Sequence, residues 1–241
     1  MNKLTIIITM AGMGSRFKKA GYTLPKFMIN AKGKTLFEWS MDSLLDYNPR
    51  VEKYIFIVQK KDDASTFIQN KCKNYNITNI DIIEIEKLTD GQATTCMLAM
   101  LHCKPDSPIL IYNIDTYVEP YEMKYLDISG DGHIPCFNAP GNHWSFVKID
   151  KNGNATEVTE KDRISNYCSI GAYYFSSAQL FKDTYEEYYS NSNNLVKGEK
   201  YIAPMYNLLI RKGKTVSISN LNPSKVHVLG TPEELNLFLN S

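Results

Sequence analysis

Two groups of residues near the amino terminus have the types and spacing needed to hold a polyphosphate. An apolar run at 4–9 leads into Ala11, Gly12, Gly14, Ser15 and Arg16, and Pro25-Lys26 follows. A buried strand feeding a glycine-containing turn brings several backbone N–H groups to one point. Arg16 and Lys26 add two cations to that point. Such a site suits the triphosphate of a nucleotide, at the carboxyl end of a first β-strand. A tight strand-to-helix turn with two solvated basic side chains has the same composition; the combined spacing of Ser15-Arg16 and Pro25-Lys26 favours the phosphate site. The glycines fit neither G-x-x-x-x-G-K-[ST] nor G-x-G-x-x-G, which argues against a kinase-like ATPase and a dinucleotide-dependent dehydrogenase.

Three further groups could share this site. Asn113-Ile114-Asp115 follows an apolar run at 109–112, and ligands of open α/β sheets sit beyond the carboxyl ends of the strands. A carboxylate there can hold Mg²⁺ against phosphate oxygens, or simply cap a turn. The stretch 89–95, Thr-Asp-Gly-Gln-Ala-Thr-Thr, opens a helix; Gly91 would let the backbone approach a flat base and Gln92 could read its edge. An ordinary helix N-cap explains the same residues. At 160–163, Glu160 and Lys161 could hold the hydroxyls and phosphate of an acceptor, or form a solvated charge cluster at a strand end. His133 and His143 have no partners at zinc-ligand spacing.

These residues need a frame. Repeated β-α-β signals run through the first half: strands at 4–9, 54–58, 80–85 and 108–112, with helices around 36–45, at 62–75 and from about 91 through Ala93, Met97, Met100 and Leu101. The second half reads as short strands at 134–137, 146–149, 156–160 and 169–175, then helices at 178–189 and 203–212. The last helix has Thr231 as N-cap, Pro232 at its first position and Glu234 to close a capping box. Trp144, Tyr173 and Tyr174 lie on strands, where aromatic side chains are first of all core; lining an acceptor pocket is their other use. The expected architecture is a single-domain mixed α/β fold, Rossmann-like, with a mostly parallel central sheet and helices on both faces. Residues 1–120 form its nucleotide-binding half and 121–241 its acceptor-binding half.

With 241 residues, 43% hydrophobic and 22% charged, the chain can bury a sizeable core. A net charge of +1 gives no broad field for nucleic acid or an anionic membrane, so any anion must be bound locally. The five cysteines form no C-x-x-C pair and read as reduced thiols of a cytoplasmic protein. Cys96 and Cys103 would share a helix face roughly 10 Å apart, too far for a disulfide. The apolar start is too short for a secretory signal and no run could span a membrane.

The loop Gly12-Met13-Gly14-Ser15-Arg16-Phe17 with Pro25-Lys26 resembles the G-x-G-[ST]-R-[FL]…P-K signature of the bacterial sugar-phosphate nucleotidyltransferases. Glu160-Lys161 with Ser165-Asn166, Gly171, Tyr173 and Phe175 resembles their E-K-x-x-x-S-N-x-x-x-x-G-x-Y-x-F run; Gly198-Glu199 and Gly230-Thr231-Pro232-Glu233-Glu234-Leu235 resemble their later segments. The resemblance extends from residue 8 to residue 235, closest to the short enzymes of capsule and lipopolysaccharide clusters.

It implies a fold related to GT-A glycosyltransferases and a Mg²⁺-dependent transfer of NMP from a nucleoside triphosphate to a phosphorylated acceptor, such as a sugar-1-phosphate. Pyrophosphate would leave, and UTP, dTTP or CTP is favoured because 89–95 resembles a pyrimidine base loop. Gly12, Gly14, Ser15 and Arg16 would cradle phosphates, with Ala11 beside them. Lys26 would stabilise the α-phosphate, Gly91 and Gln92 contact the base, and Asp115 bind Mg²⁺. Glu160, Lys161, Lys197 and Glu199 would hold the acceptor. The implied partners are these small molecules, with no nucleic acid and no membrane; a homodimer is compatible. One position departs: relatives carry a second metal-binding acid two residues before the terminal Gly-Thr, and here Val228 stands there beside His227. Glu199 or water is then the alternative source of that contact, or the contact is absent. A glycosyltransferase using a finished NDP-sugar, or a regulatory domain that binds nucleotide or sugar phosphate without turnover, are the other readings.

Overall fold

The computed structural model describes residues 3–241. The inner strands of its amino-terminal half are too apolar to face water on either side. In β1 (Leu4–Thr9), Leu4, Ile6 and Ile8 enter one core cluster and Ile7 another. This burial on both faces is what a parallel strand covered by helices requires. The chain continues through α1 (Ser15–Lys19), a hairpin of β2 (Asn30–Ala31) and β3 (Lys34–Thr35), and α2 (Leu36–Asp42). Thr35 and Glu38 close a complete capping box on α2.

Next come β4 (Val51–Gln59), α3 (Ser65–Asn74), β5 (Ile80–Ile85), α4 (Gln92–Met97), β6 (Ile109–Asn113) and the short β7 (Thr116–Val118). The carboxyl half contributes β8 (Gly132–Asn138), β9 (Ser145–Ile149), β10 (Ala155–Glu160), β11 (Tyr167–Ser169) and β12 (Ala172–Phe175). It ends with α5 (Ala178–Tyr188), α6 (Tyr206–Arg211), β13 (Val216–Asn220), β14 (Val226–Val228) and α7 (Pro232–Leu239).

One ten-stranded sheet joins both halves in the order β10-β9-β11-β8-β12-β6-β1-β4-β5, with β13 beside β8. The pairs β5–β4, β4–β1, β1–β6 and β13–β8 are parallel. From β6 to β12 and onward through the main path the pairing is antiparallel. A third cluster, including Phe17, Leu36, Tyr117, Leu229, Leu235 and Phe238, packs α7 against α1 and α2. The β14–β7 pair adds to this, so the segment from β14 to the end of α7 returns to the loops that follow β1 and β6.

Three local expectations change. The strand read at 169–175 is broken: β11 and β12 both pair with β8, but β11 takes β9 as second neighbour and β12 takes β6. Gly171 sits at the break with φ +83°, where a Cβ would lie 2.4 Å from Asn113 Nδ2. The helix after Gly91 ends at Met97, so Leu101 is 96% exposed rather than core. Cys103 lies beyond that helix, in extended backbone, and all five cysteines are free.

Candidate active site

The loops after β1 and β6 meet the start of α4 around a cavity of about 400 Å³. Its position follows the rule for open α/β sheets, beyond the carboxyl ends of parallel strands. Gly12 and Gly14 line it. Their loop is anchored by the buried Gln59 at the end of β4, whose amide donates to Ala11 O at 2.8 Å and Gly12 O at 3.0 Å. Ser15 and Arg16 lie on α1, are exposed and stand outside the lining; Lys18 lines the cavity instead.

Lys26 and Asp115 meet at the cavity wall, Nζ to Oδ2 at 2.8 Å. Lys26 comes from the 3₁₀ turn Lys26–Met28 and Asp115 from the turn between β6 and β7. Burial works to raise the Asp115 carboxyl, but Lys26 and the more distant Arg16 outweigh it and hold the group below the usual carboxylate range. A fixed ammonium beside an ionised carboxylate is a suitable setting for phosphate oxygens and a divalent cation. Among the described residues, no group of three or more His, Cys, Asp or Glu converges as a metal site.

Also on the lining, Gln92 donates to Thr9 Oγ1 at 3.1 Å and to Asn113 Oδ1. Gly91, φ +146°, has the backbone of Lys200 against it: a Cβ would lie 2.3 Å from Lys200 O. The close approach that demands glycine here is therefore made by the protein's own chain. Ala93 N donates to Lys200 O and Lys200 N to Asp90 O, so Lys200 is stitched to both sides of Gly91. Its ammonium pairs with Asp90 at 2.8 Å, and that bond holds it above its usual range.

The expected acceptor residues divide. Glu199 lines the cavity. It follows a tight turn in which Lys197 and Gly198 both have positive φ, closed by reciprocal bonds between Val196 and Glu199. Lys197, at the tip, is exposed. Glu160 and Lys161 do not line the cavity. The Glu160 side chain is 6% exposed and accepts from Ser145 Oγ; burial raises its carboxyl against the opposing pull of Ser145 and Lys161. Lys161 donates to the Tyr201 hydroxyl and lies over its ring, 3.8 Å from Glu160. Tyr173 is buried with its hydroxyl 3.2 Å from Ser145 Oγ, whereas Trp144 is half-buried and stacks edge-on with Phe137.

Gln59, Lys18 and Lys200 escaped sequence reading. A glutamine ending the buried run 54–59 was the available signal for the first; nothing local marks the other two.

Solved structures of several bacterial proteins resemble this chain along most of its length. A nucleoside-diphosphate-sugar pyrophosphorylase from Vibrio cholerae RC9 is 35% identical, with 98% of this chain and 100% of that chain covered and a TM-score of 0.90. The inositol-1-phosphate CTP transferase from T. maritima is 15% identical, covering 95% and 90%, with a TM-score of 0.76. A protein described as a glucose-1-phosphate thymidylyltransferase from Bacillus anthracis is 15% identical, covering 98% and 94%, with a TM-score of 0.79. No protein-family model and no curated protein matches the chain. The two distant likenesses show the fold; the first, at 35% identity over nearly the whole chain, shows the family. The chain belongs to the sugar-phosphate nucleotidyltransferases and is an enzyme of that class.

Proposed function

We propose that the enzyme transfers NMP from a pyrimidine nucleoside triphosphate (UTP, dTTP or CTP) to a phosphorylated acceptor such as a sugar-1-phosphate. We place this step in the cytoplasm, in the supply of activated precursors for capsule or lipopolysaccharide synthesis. The observation that carries the reading is the Lys26–Asp115 pair at the wall of a cavity beyond β1 and β6. The pyrimidine preference rests on the resemblance of 89–95 to a pyrimidine base loop; the CTP and thymidylyl enzymes among the structural neighbours share the fold.

In the proposed reaction an acceptor phosphate oxygen attacks the α-phosphorus, the α–β bridging bond breaks, and pyrophosphate leaves. The nucleophile is already anionic, so no general base is needed. Mg²⁺, when bound, supplies neutralisation of phosphate charge. The carboxylate of Asp115 fits that ion, and its pairing with an ammonium shows that it already faces a cation. Lys26 donates to α-phosphate oxygens as charge builds. Gly12, Gly14 and Lys18 hold the β- and γ-phosphates, Arg16 adding field from α1. Gln92 and the Gly91 backbone orient the base; Glu199, Lys197, Glu160 and Lys161 hold the acceptor. Catalysis is then positioning plus fixed charge. The parallel half serves the nucleotide and the antiparallel half the acceptor.

The test is pyrophosphate release from each NTP and dTTP with a panel of phosphorylated sugars and polyols in Mg²⁺. Release with one pyrimidine triphosphate and one acceptor is expected. Acceptor-independent silence with no thermal shift from any triphosphate would sink the reading.

A further inference from the structure

The family resemblance implies a second metal-binding acid two residues before Gly230-Thr231, and this chain has Val228 at that position. The backbone there still passes Asp115: Val228 pairs with Thr116 in the β14–β7 ladder, and Leu229 N donates to Asp115 O at 2.8 Å. The next residue is Gly230. A Cβ on it would stand 3.2 Å from Asp115 Oδ2 and 3.4 Å from Glu234 Oε2. Two carboxylates thus converge on the space that the missing side chain leaves open.

Glu234 has no other evident use for that oxygen. Its N–H is bonded to Thr231 Oγ1 at 3.1 Å, which caps α7, but its carboxylate does not return a bond to Thr231 as a full capping box would. Oε2 is completely buried and has no hydrogen-bond partner. A buried carboxylate oxygen requires a donor or a cation. On the other side of the Gly230 gap stands Asp115 Oδ2, the oxygen that already holds the Lys26 ammonium at 2.8 Å. Hard oxygen donors, few in number and beside a phosphate cavity, match a magnesium-like ion, which takes one or two carboxylates plus substrate phosphates.

We propose that Glu234 supplies the second acidic contact of the divalent cation held by Asp115, replacing from α7 the acid that Val228 displaces from the preceding strand. The inference rests on the reading of Asp115 as a cation ligand.

The test is Mn²⁺ binding followed by EPR titration, with CTP, UTP or dTTP present and no acceptor, so that no turnover enters. Glu234→Gln is expected to weaken Mn²⁺ about tenfold or more, Asp115→Asn to weaken it further, and Val228→Asp in the Glu234→Gln background to restore it. Gly230→Ala, which fills the gap between the two carboxylates, gives an independent second route to weaker binding should Glu234→Gln not fold. Wild-type affinity in the folded Glu234→Gln protein, or in Gly230→Ala if that variant alone folds, overturns the inference. If Asp115→Asn alone loses Mn²⁺, only the role of Glu234 falls. If the wild-type protein binds no Mn²⁺ with any triphosphate, the reading of Asp115 falls with it.

Discussion

The parallel and antiparallel parts of the sheet treat their charged residues in opposite ways. Beyond β1 and β6, Lys18, Lys26 and Asp115 line an open cavity, and Lys26 and Asp115 are partnered mainly by each other. Around β9 and β10 the charges are absorbed by the protein: Glu160 by Ser145, Lys161 by Tyr201, and Arg163 by the carbonyls of Ala139, Gly141 and Ser165. The contrast follows from topology. Parallel strands deliver every carboxyl end to the same crevice, where loops have no ladder to complete. Antiparallel hairpins lay each strand end against a neighbouring strand, which offers partners at once. On the proposed reading, one part is open in advance to a polyanion, while the other would exchange internal bonds to receive an acceptor.

The sharpest test of this contrast is Lys26→Ala, expected to lower turnover roughly 10²–10³-fold, the size of losing one transition-state donor, with smaller effects on nucleotide binding. Unchanged turnover would mean that the paired charges are structural, and the comparison would lose its functional half. Next is Gly91→Ala, which drives a methyl into Lys200 O; urea unfolding should show a loss of about 1–3 kcal/mol. Gly12→Ala meets nothing within 4 Å and should stay within about 0.5 kcal/mol of wild type. Equal losses at the two glycines would show that the β1 loop is as tightly packed as the loop before α4. Gln59→Leu should cost about 1–3 kcal/mol by leaving the Ala11 and Gly12 carbonyls without their donor. It should also raise KM for the triphosphate more than for the acceptor.

The smallest effect concerns Glu160. Because burial raises its carboxyl in the fold, the folded state holds the proton more tightly than the unfolded chain does. Its contribution to stability is complete below the ordinary glutamate range and declines as pH rises through the raised value. Glu160→Gln should remove that decline, so its stability relative to wild type should improve as pH rises above the ordinary glutamate range, about pH 4. A difference that does not vary with pH would place Glu160 among solvated charges, like those a solvent-facing strand end carries.

The parallel frame was legible because its inner strands are buried on both faces and so read as apolar runs, while the edge strand β5 keeps an Ile-rich pattern interrupted by Asp81 and Glu84: β1, β4, β5 and β6 stand close to their expected positions. The short strands β7, β13 and β14 were not foreseen, since three to five residues carry too little pattern and owe their form to a partner far along the chain. The site shows the same division. The loop at 11–14, Lys26, Asp115 and Gln92 were visible as types at a spacing, and Glu199 through resemblance, and all line one cavity.

By itself, the sequence determined which residues could do phosphate chemistry and which strand ends would carry them, because local chemistry and apolar period are properties of neighbours in the chain. Only the tertiary structure decided that Lys18 rather than Arg16 lines the cavity, that Gly91 makes room for Lys200, and that Glu234 faces Asp115 across Gly230. Each of those is a contact set by packing: the orientation of α1, the return of the 196–200 turn, and the docking of α7 through Leu235 and Phe238 onto the core around Phe17. No spacing along the chain encodes a distance that is fixed by where two separate elements come to rest.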